Sequence, residues 1–300
     1  MKPLTTATSP GADLLRHPTD FSLVLGGPLF QLLRRAHLSD DALTMARRRV
    51  IVIALLAWLP LLLLSTLEGG ALGGSVAVPF LLDVEVHIRY LVALPLLIGA
   101  ELVVHRRMRS VIQVFLERRL IPASAMPRFE AAITSALRLR NSVLAETLLI
   151  ALVYGVGVLI VWRHYMALDA VTWYATPSSA GSTLSLAGIW YGYVSLPLFQ
   201  FLLVRWYFRL FIWARLLLQV SRIELNLIPT HPDRLGGLGF LAGTVYAFTL
   251  LAVAHGVLLA GPIANRIFYL GAGLLAFKVE IAALLGFVLG GWTKLVGLVR

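Results

Sequence analysis

Long apolar runs alternate with short, arginine-bearing polar blocks along most of this chain. A helix that crosses a bilayer needs about 20 mainly apolar residues, each adding about 1.5 Å of rise. Six runs meet that requirement: Val50–Leu67, Ile88–Val104, Ser142–Trp162, Leu186–Val204, Leu238–Leu259 and Phe268–Val288. The pattern predicts an all-α, polytopic transmembrane bundle of about six spans. Arg89 and Tyr90 open the shortest run and are expected at an interface.

The polar blocks carry helical signals of their own. Ser39 can cap a helix whose first turn holds Asp40 and Asp41 and which runs on through Arg47, Arg48 and Arg49 into the first span. Upstream, the apolar turn from Val24 to Phe30 contains Gly26, Gly27 and Pro28. It leads into a short helix with Arg34 and Arg35, lying on the membrane surface or against the bundle. Pro122 and Pro127 divide residues 105–141 into a helical hairpin. Its second arm sets Phe129, Ile133, Ala136 and Leu137 opposite Arg128 and Arg138, an amphipathic stripe suited to lipid or to the end of the bundle. The expected organisation is an N-terminal segment, 1–49, and a six-span domain, 50–300, that includes this hairpin and a turn at 224–237.

Composition supports the same class. Hydrophobic residues make up 59% of the chain and charged residues 14%, against roughly 25% charged in soluble domains. Cysteine is absent, which excludes disulfides, thiolate zinc sites, c-type haem attachment and cysteine nucleophiles. No cofactor is expected. The first 49 residues lack the basic, apolar, small-residue succession of a cleaved signal peptide, so the run from Val50 reads as a retained span.

The net charge of +11 comes from 23 arginines and three lysines against 15 acidic residues. In a soluble chain this would suggest nucleic acid. Here the charge is sorted by loop, and no nucleic-acid partner is expected. Segments 1–49, 105–141 and 205–237 hold 20 Lys and Arg, whereas 67–89, 163–185 and 260–267 hold three. Basic loops stay in the cytoplasm. Both termini are therefore expected inside a bacterial-type inner membrane, with anionic lipid head groups against the basic face. A homo-oligomer or a partner subunit is compatible with this pattern.

Ionisable groups inside spans are costly and become the first functional candidates. Glu101 lies near the inner end of the second run, Glu146 near the inner start of the third, and Arg205 at the end of the fourth, so the three can share one layer. The alternative is that each carboxylate pairs with a nearby arginine or reaches out to the interface. His255, Lys278 and Glu280 are further intramembrane polar candidates. Lys278 and Glu280 either divide the last span near mid-bilayer or sit one turn inside its outer end.

The stretch from Asn226 to Phe240 is the most distinctive. Pro229 and Pro232 oppose helix, Gly236, Gly237 and Gly239 permit close backbone approach, and His231, Asp233 and Arg234 stand where the fifth span begins. His231 and Asp233 can bind a cation or move a proton, and Arg234 can meet an anion; equally, the group can cap the span. One His and one Asp are too few for a metal site. Arg205, Arg209, Arg215 and Arg222 do not repeat every third residue as a voltage sensor requires.

Together with Gly26-Gly27-Pro28-Leu29 and Arg47-Arg48-Arg49, the sequence from His231 to Phe240 resembles a family of uncharacterised bacterial multi-pass inner-membrane proteins. The resemblance implies the topology and no catalytic residues. Three functions remain in view. The first is a transporter or channel-like protein for a small solute or ion, with a polar site of Glu101, Glu146, Arg205, His231, Asp233 and Arg234. The second is a membrane-embedded enzyme on a lipid or lipid-linked substrate, with His231 and Asp233 as acid and base and Arg234 for a head-group phosphate. The third is a non-catalytic scaffold or sensor subunit.

Overall fold

A computed structural model describes residues 21–38, 45–73, 76–162, 171–176 and 183–297. The expected capping group Ser39, Asp40 and Asp41 lies outside the described residues. The protein is an all-α bundle with almost no sheet. Among the described residues, four helices are long and apolar enough to cross a membrane: α2 (Ala46–Leu67), α3 (Val84–Glu117), α6 (Leu186–Val220) and α7 (Thr249–Leu270). A fifth is counted if Ala123–Arg140 and Val143–Leu159, bent by 48°, form one span. The short helix α1 (Pro28–Arg35) precedes them. Helices α4 (Met126–Arg140) and α5 (Val143–Leu152) make the bent pair, and α8 (Lys278–Gly297) closes the chain.

α2 shows how an apolar helix sorts its faces without a polar side. Ile53, Ala54, Ala57, Leu61 and Ser65, spaced at helical intervals, are buried in the bundle, while Ile51, Val52, Leu55, Leu56, Leu59 and Leu63 are exposed. A stripe of large aliphatic side chains open to the surroundings is what a bilayer accepts and water does not. The buried face is tied by polar groups at close range. Ser195 Oγ donates to the Ala57 carbonyl at 2.7 Å, and Trp206 Nε1 donates to the Leu97 carbonyl at 3.0 Å.

α2 runs antiparallel to α6, and α7 to α3. Glu68, just past α2, accepts the Leu186 and Ala187 amides at 2.7 and 3.2 Å and so caps the start of α6. Asn265 on α7 accepts the Val84 amide at 3.0 Å at the start of α3. In both α3 and α6 one turn widens into a π-helix, at Ile88–Ala93 and Tyr191–Ser195. Each is followed at once by a proline, Pro95 and Pro197. A proline offers no N–H to the carbonyl four residues back, so the ladder there must reach further along the chain.

Two expected spans are placed differently. The fifth run begins with a 3₁₀ turn at Gly239–Ala242 and one helical turn at Gly243–Ala247; the long helix starts only at Thr249 and continues to Leu270. The sixth run is broken in its first turn. Gly271 ends α7 in the left-handed conformation (φ 63°), and α8 starts afresh at Lys278. Helix ends are set by local hydrogen bonding, which average hydropathy does not resolve.

α3 and α6 are each longer than a bilayer core, about 51 and 52 Å at 1.5 Å per residue. Their arginine-rich ends pack with α4, extending the apolar core of the bundle. Phe129, Ile133 and Ala136 are buried against α6, in company with Phe115, Trp213 and Leu216. The amphipathic stripe of the hairpin thus meets protein. At the opposite end, a two-stranded ribbon pairs β1 (Ala175–Thr176) with β2 (Thr183–Leu184) in antiparallel register.

Candidate functional site

Buried charge collects in one layer. Measured along the helices, Glu101 lies about 26 Å from the start of α3, Arg205 about 28 Å from the start of α6, and Arg49 about 27 Å from the end of α2. Because α2 runs opposite to α3 and α6, the three positions fall at one level. Glu146 joins them from the first turn of α5, a helix capped by Ser142, whose Oγ accepts the Ala145 amide at 3.2 Å.

Glu101 is the hub. Its carboxylate receives Arg209 at 2.7 Å and Arg49 on the other oxygen, with Arg205 at 4.0 Å. Arg205 turns its Nε to Glu146 at 3.1 Å. All five side chains are buried, with residue exposures of 2% for Arg49, 7% for Glu101, 5% for Glu146, 6% for Arg205 and 4% for Arg209. Three guanidinium groups therefore meet two carboxylates. Arg209 also lies over the Trp206 ring at 4.8 Å, a cation–π contact that shields it further.

The N-terminal segment forms the roof of this cluster. Phe21, Leu23 and Val24 are buried in the bundle, which places the apolar turn against protein. From there the chain makes three polar contacts with the layer: Arg205 Nη2 donates to the Gly26 carbonyl at 3.3 Å, the Gly27 amide donates to Asn141 Oδ1 at 3.1 Å, and the Leu29 amide donates to Glu146 Oε2 at 2.7 Å. Glu146 thus sits at the N-terminus of α1, where a negative charge is favoured. Glycine is required at position 27. Its φ is +87°, and a Cβ there would lie 3.0 Å from the Arg140 carbonyl and 3.1 Å from Glu146 Oε1. Arg140 also donates to the Ser22 carbonyl, while Ser22 Oγ meets His105 Nδ1 at 2.8 Å.

The His231–Asp233 turn is a separate structure. Asp233 Oδ1 accepts the Leu235 and Gly237 amides at 2.9 and 3.1 Å, and Oδ2 accepts the Gly239 amide at 2.8 Å. Gly239 must lack a side chain, since its Cβ would lie 2.9 Å from Asp233 Oδ2. Partial desolvation acts to raise the Asp233 pKa, but the Leu235, Gly239 and Gly237 amides and the His231 side chain outweigh it and hold the carboxyl well below its usual range. His231 Nδ1 lies 2.9 Å from Asp233 Oδ1, and Arg234 is exposed with φ +55°. The loop is pinned to the end of α3, where Asn226 donates to the Arg119 carbonyl at 3.1 Å and Arg118 to the Gly237 carbonyl at 3.3 Å.

That anchorage corrects the expected six-residue site. Arg118 follows Glu101 by 17 residues along α3, about 25 Å. The structure brings Glu101, Glu146 and Arg205 together and leaves His231, Asp233 and Arg234 at the far tip of the helix. The remaining polar candidates stand apart as well. His255 Nδ1 lies 2.7 Å from the Leu251 carbonyl, Nε2 meets the Tyr207 hydroxyl, and the ring packs on Tyr207 and Phe287. Lys278 and Glu280 are exposed in the first turn of α8, so they do not divide a span at its middle.

Arg49 and Arg209 were not singled out as site residues by sequence, although spacing offered a signal. Arg205 and Arg209 are four apart, as are Glu101 and His105, so each pair shares a helix face. Arg49 reads as one of three equivalent interface arginines, yet Arg47 and Arg48 are exposed and it alone of the three turns inward. Among the described residues, no three His, Asp or Glu side chains converge to hold a metal ion. Neither the family models, nor the curated proteins, nor the solved structures contain a match to this chain.

Proposed function

We propose that this is an integral protein of a bacterial inner membrane that moves a small solute or ion, with the Glu101 cluster as its polar binding layer. The arginine-rich ends of the helices face the cytoplasm under the positive-inside rule. Exposed Arg47, Arg48, Arg106, Arg107, Arg118 and Arg119 then stand ready for anionic lipid head groups. The cluster lies about 27 Å from the opposite helix ends, near the inner edge of a hydrocarbon core about 30 Å thick.

One observation carries the reading: five ionisable side chains from α2, α3, α5 and α6 are buried at one level, roofed by the Gly26–Gly27 turn. Purely structural ties at the other end of the bundle use fewer charges. Asp83 there accepts Trp173 Nε1 at 2.9 Å and Asn265 Nδ2 at 2.8 Å, both neutral donors, and Arg89 pairs nearby with Glu85. Reconstitution into vesicles tests the proposal. Inorganic ions and small charged solutes are scored one at a time, and Glu101→Gln is expected to abolish the flux while the protein still inserts. Flux that survives Glu101→Gln removes the cluster from the pathway.

A scaffold is the second reading, since the same ion pairs join four helices. It expects every assayed flux to be absent from the wild type. The acid–base reading of His231 and Asp233 draws no support from the geometry, because both oxygens of Asp233 are already committed to backbone amides.

A further inference from the structure

The cluster is over-supplied with cationic donors. Arg49, Arg205 and Arg209 face Glu101 and Glu146, which leaves one positive charge without a buried counterpart among the described residues. Arg140, half-buried nearby, adds to the surplus. The hydrogen bonds show the same excess. Arg49 Nε and Arg209 Nη2 are both buried and have no hydrogen-bond partner among the described residues. A buried donor left unpaired is costly, and one on a charged group more so. The two arginines that carry these donors both reach Glu101 through their other nitrogens, Arg49 from α2 and Arg209 from α6.

We infer that Arg49 and Arg209 form an oxyanion site, taking the phosphate or carboxylate group of a small solute or of a lipid beside Glu101. This names the substrate class of the binding layer and rests on that reading of the cluster. Guanidinium groups suit the ligand chemically: their planar N–H forks match two oxygens at once, which an ammonium does not offer. Glu101 holds these forks when no ligand is bound and competes for them when one arrives. A cation finds no comparable seat in the layer, since Glu101 and Glu146 each already have at least one arginine. The Gly26–Gly27 turn stands over the layer from the arginine-rich end, so a free anion enters past it, while a head group enters between helices.

The test uses the full chain in discs of neutral phosphatidylcholine, with radiolabelled inorganic phosphate as the probe and chloride holding the ionic strength. Wild type is expected to bind phosphate saturably. Glu101→Gln removes the competing charge and should tighten binding by about tenfold or more. It should also melt at a lower temperature than wild type without phosphate and recover when phosphate is added. The Arg49→Gln/Arg209→Gln pair should lose the binding; should that pair fail to fold, Arg209→Lys keeps the charge, loses the fork, and should weaken phosphate about tenfold. Discs containing phosphatidylglycerol separate the sources: a head group on the same arginines displaces phosphate, and a site reserved for free anions does not respond. Absence of saturable binding in both wild type and Glu101→Gln overturns the inference, as does binding that is indifferent to the arginine substitutions. Phosphate binding without flux of any solute would leave the site standing and remove transport. Flux of a cation with no phosphate binding would do the reverse.

Discussion

Glu101 and Asp233 are both carboxylates that sequence alone places near membrane entry points, with arginines close by. Their surroundings differ in kind. Asp233 is satisfied by its own loop: three amides within six residues fill both oxygens. Glu101 receives nothing from its own neighbourhood; its partners come from α2 and α6, about 50 and 100 residues away in sequence. A carboxylate consumed by local backbone is a structural part. One held by long-range arginines, with spare donors beside it, can exchange partners.

Charge removal breaks the comparison most sharply. Arg205→Ala strips Glu146 of its ion pair and unbalances Glu101, and should cost about 3–5 kcal/mol, read as a fall in thermal stability. Loss of less than about 1 kcal/mol would mean that the layer is well hydrated and the pairs are weak. Gly27→Ala follows, at about 1–3 kcal/mol for a side chain forced into the left-handed region. Its effect should appear as faster amide exchange in residues 21–35, with the far end of the bundle unchanged.

Asp233→Asn should have a smaller and more local consequence. The amide keeps one acceptor oxygen but turns an N–H group towards backbone donors, so exchange at Leu235, Gly237 or Gly239 should accelerate while the Glu101 layer stays protected. Protection lost at both places would show that the two regions are coupled. The mildest probe is pH. The folded-state pKa of Asp233 is depressed, so its contribution is present above the unfolded carboxylate value and is lost as pH falls through the lower folded value. The turn should therefore stay closed at about pH 4, near the ordinary aspartate pKa, and open only in stronger acid. Amide exchange of Gly239 measured down the pH scale checks the sign.

Much of the fold was legible because lipid imposes a one-dimensional rule. A run of apolar residues long enough to cross is visible without knowing its neighbours, and α2, α3 and α6 lie where those runs lie. Misplacement occurred where the rule is blind: a 3₁₀ entry before Thr249 and a left-handed glycine at 271 are hydrogen-bonding events within an apolar background. The site was half legible. Depth along a helix follows from rise per residue, so Glu101, Glu146 and Arg205 could be assigned to one layer. His231, Asp233 and Arg234 were grouped with them on the assumption that span ends share a level, whereas α3 carries its end about 25 Å beyond Glu101.

What the amino-acid sequence determined by itself was helical class, the apolar lengths, the sorting of arginine to alternate connections and the local closure of the Asp233 turn. Each depends on residues near one another along the chain. Only tertiary structure decided that Arg49 turns inward while Arg47 and Arg48 do not, that Gly27 lies against Glu146, and that Arg49 Nε and Arg209 Nη2 have no partner among the described residues. Those outcomes depend on which face of each helix the other helices occupy. Ion pairing between distant segments is resolved only once packing has fixed the distances.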